Sequence, residues 1–177
     1  MNRFVLAFLL LFSLVGRSSS VYAQEAEASP FENSPREVEK AFENNPLSKS
    51  HEFSFHLNPY YLHGDFDGDG KLDTAVLVKE KKTGKIGILI FHSGTRKFFL
   101  LGAGVNNWNI WTNENGGDNF DSVNFWFVAR KGPVQRGDFA ERTPKLKGDA
   151  LKVGRMGVGD YLIYWDGRKY CHYTQSE

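Results

Sequence analysis

The stretch "GDFDGDGKLDTAVLV", Gly64 to Val78, sets four aspartates within nine residues directly against an apolar run. With Asp65 as position 1, Asp67, Asp69 and Asp73 fall at positions 3, 5 and 9, and Gly70 falls at 6. Alternate residues of a tight loop can point inward together, and the glycine permits the sharp turn. Without a cation these carboxylates repel one another. Calcium is a hard ion that takes about six to eight oxygens at flexible geometry. The predicted ligands are therefore the side chains of Asp65, Asp67, Asp69 and Asp73, joined by the backbone carbonyl of Lys71. Magnesium fits less well, because it wants rigid octahedral geometry and keeps its waters.

A helix-flanked calcium hand is excluded on two grounds. Its bidentate glutamate at position 12 would be Val76, which cannot coordinate. The segment leaving the loop, "DTAVLVKE", has strand character.

Outward from this loop, strand signals dominate. "TAVLVKE" (74–80), "IGILIFH" (86–92) and "KFFLLG" (97–102) are short apolar runs joined by the turns "KKTGK" and "SGTR". They predict an antiparallel meander. "SVNFWFVAR" (122–130) predicts a strand with Val123, Phe125 and Phe127 on one face, and "DALKVG" predicts a shorter one. "DYLIYWDGRKYCHYT" predicts a hairpin about Asp166-Gly167. Ahead of the loop, "HEFSFHL" alternates with Phe53, Phe55 and Leu57 on one side. "SPREVEKAFENNP" predicts one helix over 35–44, with Ser34 as cap, Glu37 completing a capping box, and Val38, Ala41 and Phe42 on one face. The expected fold is a mainly β, single antiparallel domain of about eight strands, sandwich- or blade-like, with one short N-terminal helix.

The N-terminus has the layout of a secretory signal. Arg3 precedes the apolar run Phe4–Gly16, and Val21 and Ala23 supply small residues for cleavage after Ala23. The apolar run falls short of the roughly 20 residues that span a bilayer. The expected organisation is a signal peptide at 1–23, a flexible leader at 24–33 and one β-rich domain at 34–177. Loss of Arg3 and Arg17 takes the 22 basic residues to 20, against 21 acidic ones. A near-neutral chain without a basic block argues against nucleic acid, and no later segment predicts a membrane span. The expected location is periplasmic or extracellular. A lone cysteine, Cys171, leaves no internal disulfide, so a core or a bound ion must hold an exported fold. Cys171 is expected to be a buried strand residue.

The loop and its strand resemble the calcium-binding segment of FG-GAP/VCBS-type repeats, which build blades of β-propellers. By that resemblance Asp65, Asp67, Asp69 and Asp73 ligate calcium by side chains, and Lys71 by its carbonyl. The chain departs from that family in carrying one copy, whereas a propeller needs about four or more blades. Over residues 60–174 the order of the loop, "FFLLGAG", "NGGDNFD" and "LIYWDGRKYCHYTQ" looks like small exported bacterial proteins of largely unknown function. Some single-loop exported β-proteins are similar to periplasmic inhibitors or immunity proteins against lysozyme-like cell-wall hydrolases.

Other chemistry is sparse. Glu114, Asp118 and Asp121 in "NENGGDNFD" are candidates to complete the calcium shell, to form a second site or to serve as a carboxylate pair, against the plainer reading of a polar turn. His51, His56, His63, His92 and His172 show no zinc-like spacing. Trp108 and Trp111 lie in the long irregular segment 102–120, and a second such segment covers 131–149. Such segments are often functional. The expectation is a non-catalytic, calcium-binding protein that binds or inhibits a protein or glycan partner in the envelope. The alternatives are inhibition of a lysozyme-like cell-wall hydrolase or, less favoured, a carbohydrate-active hydrolase.

Overall fold

The computed structural model describes residues 35–105, 117–137 and 142–176. Ser34, Trp108, Trp111 and Glu114 lie outside the described residues, as do the segments 1–23 and 24–33 expected to be signal and leader.

Among the described residues there are nine strands in two antiparallel sheets. The first sheet holds β1 (His51–Phe53), β2 (Tyr61–Gly64), β3 (Asp73–Glu80), β4 (Ile86–His92) and β5 (Lys97–Gly102). The predicted meander is present in β3, β4 and β5. Strands β1 and β2 pair in tandem along one edge of β3, β1 on Val78–Glu80 and β2 on Asp73–Val76. The second sheet runs β6 (Phe125–Ala129), β7 (Ala150–Arg155), β8 (Gly159–Trp165) and β9 (Tyr170–Ser176) in sequential order.

The apolar patterns explain the layering. Strand β4 is buried at every position, and β3 at its first six. Continuous apolar runs of this kind belong to strands covered on both faces. One face of β3 and β4 presents Ala75, Leu77, Ile86, Ile88 and Ile90 to Trp126, Leu151, Val153 and Ile163 of the second sheet. The other presents Val76, Val78, Leu89 and Phe91 to Val38 and Phe42. Those two residues lie four apart on helix α1 (Arg36–Glu43), so a single apolar stripe covers the sheet. Phe42 also stacks on Phe53 with centroids 4.7 Å apart. The outer face of the second sheet buries Ala150, Leu162 and Tyr173 under Leu146 and Val134 of the 131–149 segment.

Four details differ from expectation. Strand signals over 51–57 yield only the three-residue β1, and β2 was not foreseen. Pro35 occupies the helix cap with no side-chain cap bond. In β6 the buried residue is Trp126, whose indole N–H donates to the Pro59 carbonyl at 2.8 Å, whereas Phe127 is exposed. The chain turns at Asp121–Ser122 and bridges Asn124 N–H to the Gly154 carbonyl, so alternation does not carry through from Val123. Cys171 is half-buried, because it sits on the outer face near the Asp166 turn.

Candidate metal centre

The loop between β2 and β3 is built around a buried ring. Phe66 lies between Asp65 and Asp67, is 1% exposed and joins the core shared by both sheets. Driving this one residue inward leaves Asp65 half-buried, while the Asp67 side chain, only 11% exposed, turns towards His92. Gly68 and Gly70 then turn the chain at φ of 81° and 84°, conformations that side-chain-bearing residues rarely adopt.

The carboxylates are held by backbone amides. Asp65 accepts from Gly68 N–H at 2.8 Å through one oxygen and from Gly70 N–H at 3.1 Å through the other. Asp67 accepts from Asp69 N–H at 3.0 Å, and Asp69 accepts from Lys71 N–H at 2.8 Å. One oxygen from each of Asp65, Asp67 and Asp69 lies within 4.8 Å of the others. Two oxygens bound to one calcium at about 2.4 Å each cannot be further apart than about 4.8 Å, so the trio has the right span for a single ion. An all-oxygen donor set suits a hard cation. Lys71 completes the loop with its side chain exposed.

Asp73 plays a different part. It is fully buried, and its two oxygens accept from Phe66 N–H at 3.0 Å and Ser93 N–H at 2.9 Å. It therefore ties the loop to the start of β3 and to the turn after β4. Its donor atoms group with those of Asp67 and His92 rather than with the outer trio. Burial, reinforced by the negative charge of Asp67, raises its carboxyl from 3.8 to about 6 against the pull of the backbone amides.

His92 is the member that sequence spacing did not identify. It is 2% exposed. Its Nδ1 lies 3.1 Å from Asp67 Oδ2, and its Nε2 meets the Tyr170 hydroxyl. Burial holds the imidazole below its ordinary value, although Asp67, Asp69 and Asp65 oppose this. Burial likewise pushes the Tyr170 phenol far above its usual range. A neutral ring facing a carboxylate must carry its proton on Nδ1. Nε2 then accepts from Tyr170, which belongs to the second sheet. The available signal was hairpin register: Thr74 pairs with Phe91, which sets Asp73 opposite His92.

The second sheet also grips the loop directly. Asp149 N–H donates to the Asp65 carbonyl at 2.6 Å, and Asp149 Oδ2 accepts from Asp65 N–H at 3.3 Å. A side chain at Gly148 would place Cβ 2.1 Å from the Asp65 carbonyl oxygen, so glycine is required for this approach. Burial would raise the Asp149 carboxyl, but the Lys131 amide, the Arg130 guanidinium and the Asp65 amide together hold it below the ordinary range. Arg130 reaches it at 2.8 Å.

No protein-family model matches the chain, and no curated protein or solved structure is significantly similar to it.

Asp118 stands apart from the loop. It pairs with Lys85 beside the start of β4, whereas His92 ends that strand, about 20 Å away at the usual rise per residue. Asn119 accepts from Ile86 N–H at 2.8 Å and Phe120 is buried, so this segment fastens the start of β4. Asp121 is exposed. His63 bonds Thr74 at 3.0 Å and has a packing role.

Two predictions arise here. Gly94 lies so close to Asp69 that an added Cβ would sit 2.0 Å from Oδ2. The carboxylate can swing aside, so Gly94→Ala weakens calcium binding about tenfold or more while shifting the ion-free melting temperature little; calorimetry and thermal melting check this. The second concerns pH. Between 3.8 and about 6 the folded chain keeps the Asp73 proton that the unfolded chain has released. Its contribution is complete below that window and is lost as pH rises through it, with a slope of at most about 1.36 kcal/mol per pH unit. Melting in EDTA across this window should show the decline in wild type and its loss in Asp73→Asn. Saturating calcium is expected to move the window to lower pH, because a cation held by the neighbouring Asp67 favours the ionised carboxylate of Asp73.

Proposed function

We propose that this chain is an exported, non-catalytic binding protein whose fold is held by one calcium ion in the Asp65–Asp73 loop. The observation that carries this reading is the trio of Asp65, Asp67 and Asp69. Their oxygens converge within the span of one ion and are already oriented by backbone amides. The loop is gripped by Ser93 of the first sheet's β4–β5 turn and by Asp149 at the entrance to β7. An ion here draws the sheets together in a chain that cannot form an internal disulfide. The signal-like N-terminus supports export, and calcium outside the cell reaches concentrations at which extracellular modules bind, roughly 10⁻⁴ to 10⁻³ M. A non-catalytic role accords with the bonding of the buried polar groups at the loop. Asp73, His92 and Tyr170 are engaged in packing bonds, and their surroundings leave no activated nucleophile.

Isothermal calorimetry tests the reading. One calcium per chain with a dissociation constant in that range, a far weaker response to magnesium and no heat from Asp67→Ala are expected. A wild-type chain that takes up no calcium ends it.

A further inference from the structure

A groove of about 450 Å³ opens over the outer face of the second sheet, with residues 131–134 as one wall and 143–146 as the other. Its floor is aliphatic: Leu146 is buried, and Val134 and Pro144 are half-buried. Leu146 and Val134 pack on Ala150, Leu162 and Tyr173, so the groove is built on a set part of the fold. Lys131 and Lys145 are exposed on opposite walls, and neither ammonium pairs with a carboxylate among the described residues.

Charge around the groove is one-sided. The described parts of 130–148 hold Arg130, Lys131, Arg136, Arg142, Lys145 and Lys147 and no acid; Asp138 and Glu141 belong to the stretch outside them. Asp149, the next acid along the chain, is committed to Arg130 and to two backbone amides. With Asp138 and Glu141 counted, the sequence 130–148 holds six basic and two acidic residues, a net of +4 against +1 for the whole chain, so this segment concentrates positive charge.

We propose that this groove binds an acidic peptide segment of a partner protein, seating an apolar side chain over Val134 and Pro144 between carboxylates held by Lys131 and Lys145. The proposal rests on the binding-protein reading above and adds its face and its chemistry. An aliphatic floor flanked by lysines suits a peptide that alternates acidic and apolar residues. A glycan is disfavoured, because the described lining residues offer no aromatic face and only Thr143 as a neutral polar side chain. Opposite charges around the groove also speed encounter and make binding salt-sensitive.

The test uses fluorescence anisotropy of the full exported chain with labelled glutamate–leucine, glutamine–leucine and lysine–leucine peptides, and with labelled polygalacturonate. The glutamate–leucine peptide is expected to bind tightest and to weaken at high salt. Lys131→Glu/Lys145→Glu is expected to lose about tenfold or more. Both side chains are exposed, and Lys131 reaches Asp149 through its backbone amide, which the substitution keeps, so calcium binding and melting temperature stay unchanged in that variant. Equal binding of the three peptides, stronger binding of polygalacturonate, or indifference to the double substitution overturns the proposal. Cross-linking in envelope extract separates the two levels. A partner captured equally by wild type and the double variant removes the groove and leaves the binding-protein reading standing.

Discussion

Stripping calcium with EDTA is expected to lower the melting temperature by roughly 10 °C relative to calcium at about 100 times its dissociation constant. A ligand at that excess stabilises a fold by about 2.7 kcal/mol, and each kcal/mol moves the melting point of a domain this size by roughly 4 °C. The ion should act on the whole molecule. Its loop bonds to Ser93 beyond β4, to Asp149 ahead of β7 and, through His92, to Tyr170 of β9. Asp67 belongs to both donor groups. Asp67→Ala should therefore abolish the calcium-dependent shift completely, and differential scanning calorimetry with and without EDTA checks it. The substitution also removes the partner of His92, so its ion-free melting point must be measured as the reference. A calcium-dependent shift that survives in Asp67→Ala would place the ion elsewhere.

The second large effect is expected at Phe66. Phe66→Ala should cost about 3–5 kcal/mol of stability, the range for truncating a buried aromatic ring. The ring is 1% exposed and lies in the core that joins the two sheets. It is also the anchor that fixes the backbone between Asp65 and Asp67. Chemical denaturation at saturating calcium should show the loss, and calcium affinity should fall with it. Phe66→Leu, which keeps most of the apolar volume, should recover much of both. A Phe66→Ala chain of wild-type stability would mean that the loop packs differently.

The sequence was legible where neighbours in the chain are neighbours in space. Strands β3, β4 and β5 are joined by short turns, so their runs and order followed from local pattern. The Asp166-Gly167 hairpin was equally clear. Val38 and Phe42 announced the helix face that now covers Val76 and Leu89. The aspartate spacing singled out the loop, and the structure brings Asp65, Asp67 and Asp69 together.

What local pattern could not supply was contact across the chain. His92, 25 residues beyond Asp67, is linked to the loop only by the register of the β3–β4 hairpin, and Asp149 and Tyr170 lie further still, where no spacing rule reaches. Asp73 fits the ligand pattern by position, but its burial and its bonds to Phe66 and Ser93 depend on the completed hairpin. Strand β2 was hidden because "YLHG" is short and has a stable partner only in the already formed β3. The face of β6 was misread because the turn ahead of it resets the alternation, and the Pro59 carbonyl draws Trp126 inward. The need for glycine at 148 comes from the Asp65 carbonyl packed against it, a contact between distant parts of the chain.

The most direct measurement is a crystal structure grown in calcium, with anomalous diffraction to locate the ion. The account predicts one calcium about 2.3–2.6 Å from side-chain oxygens of Asp65, Asp67 and Asp69 and from the Lys71 carbonyl, with Phe66 still buried beneath it. Crystals grown in millimolar calcium that show a well-ordered loop and no anomalous peak among these residues would contradict it.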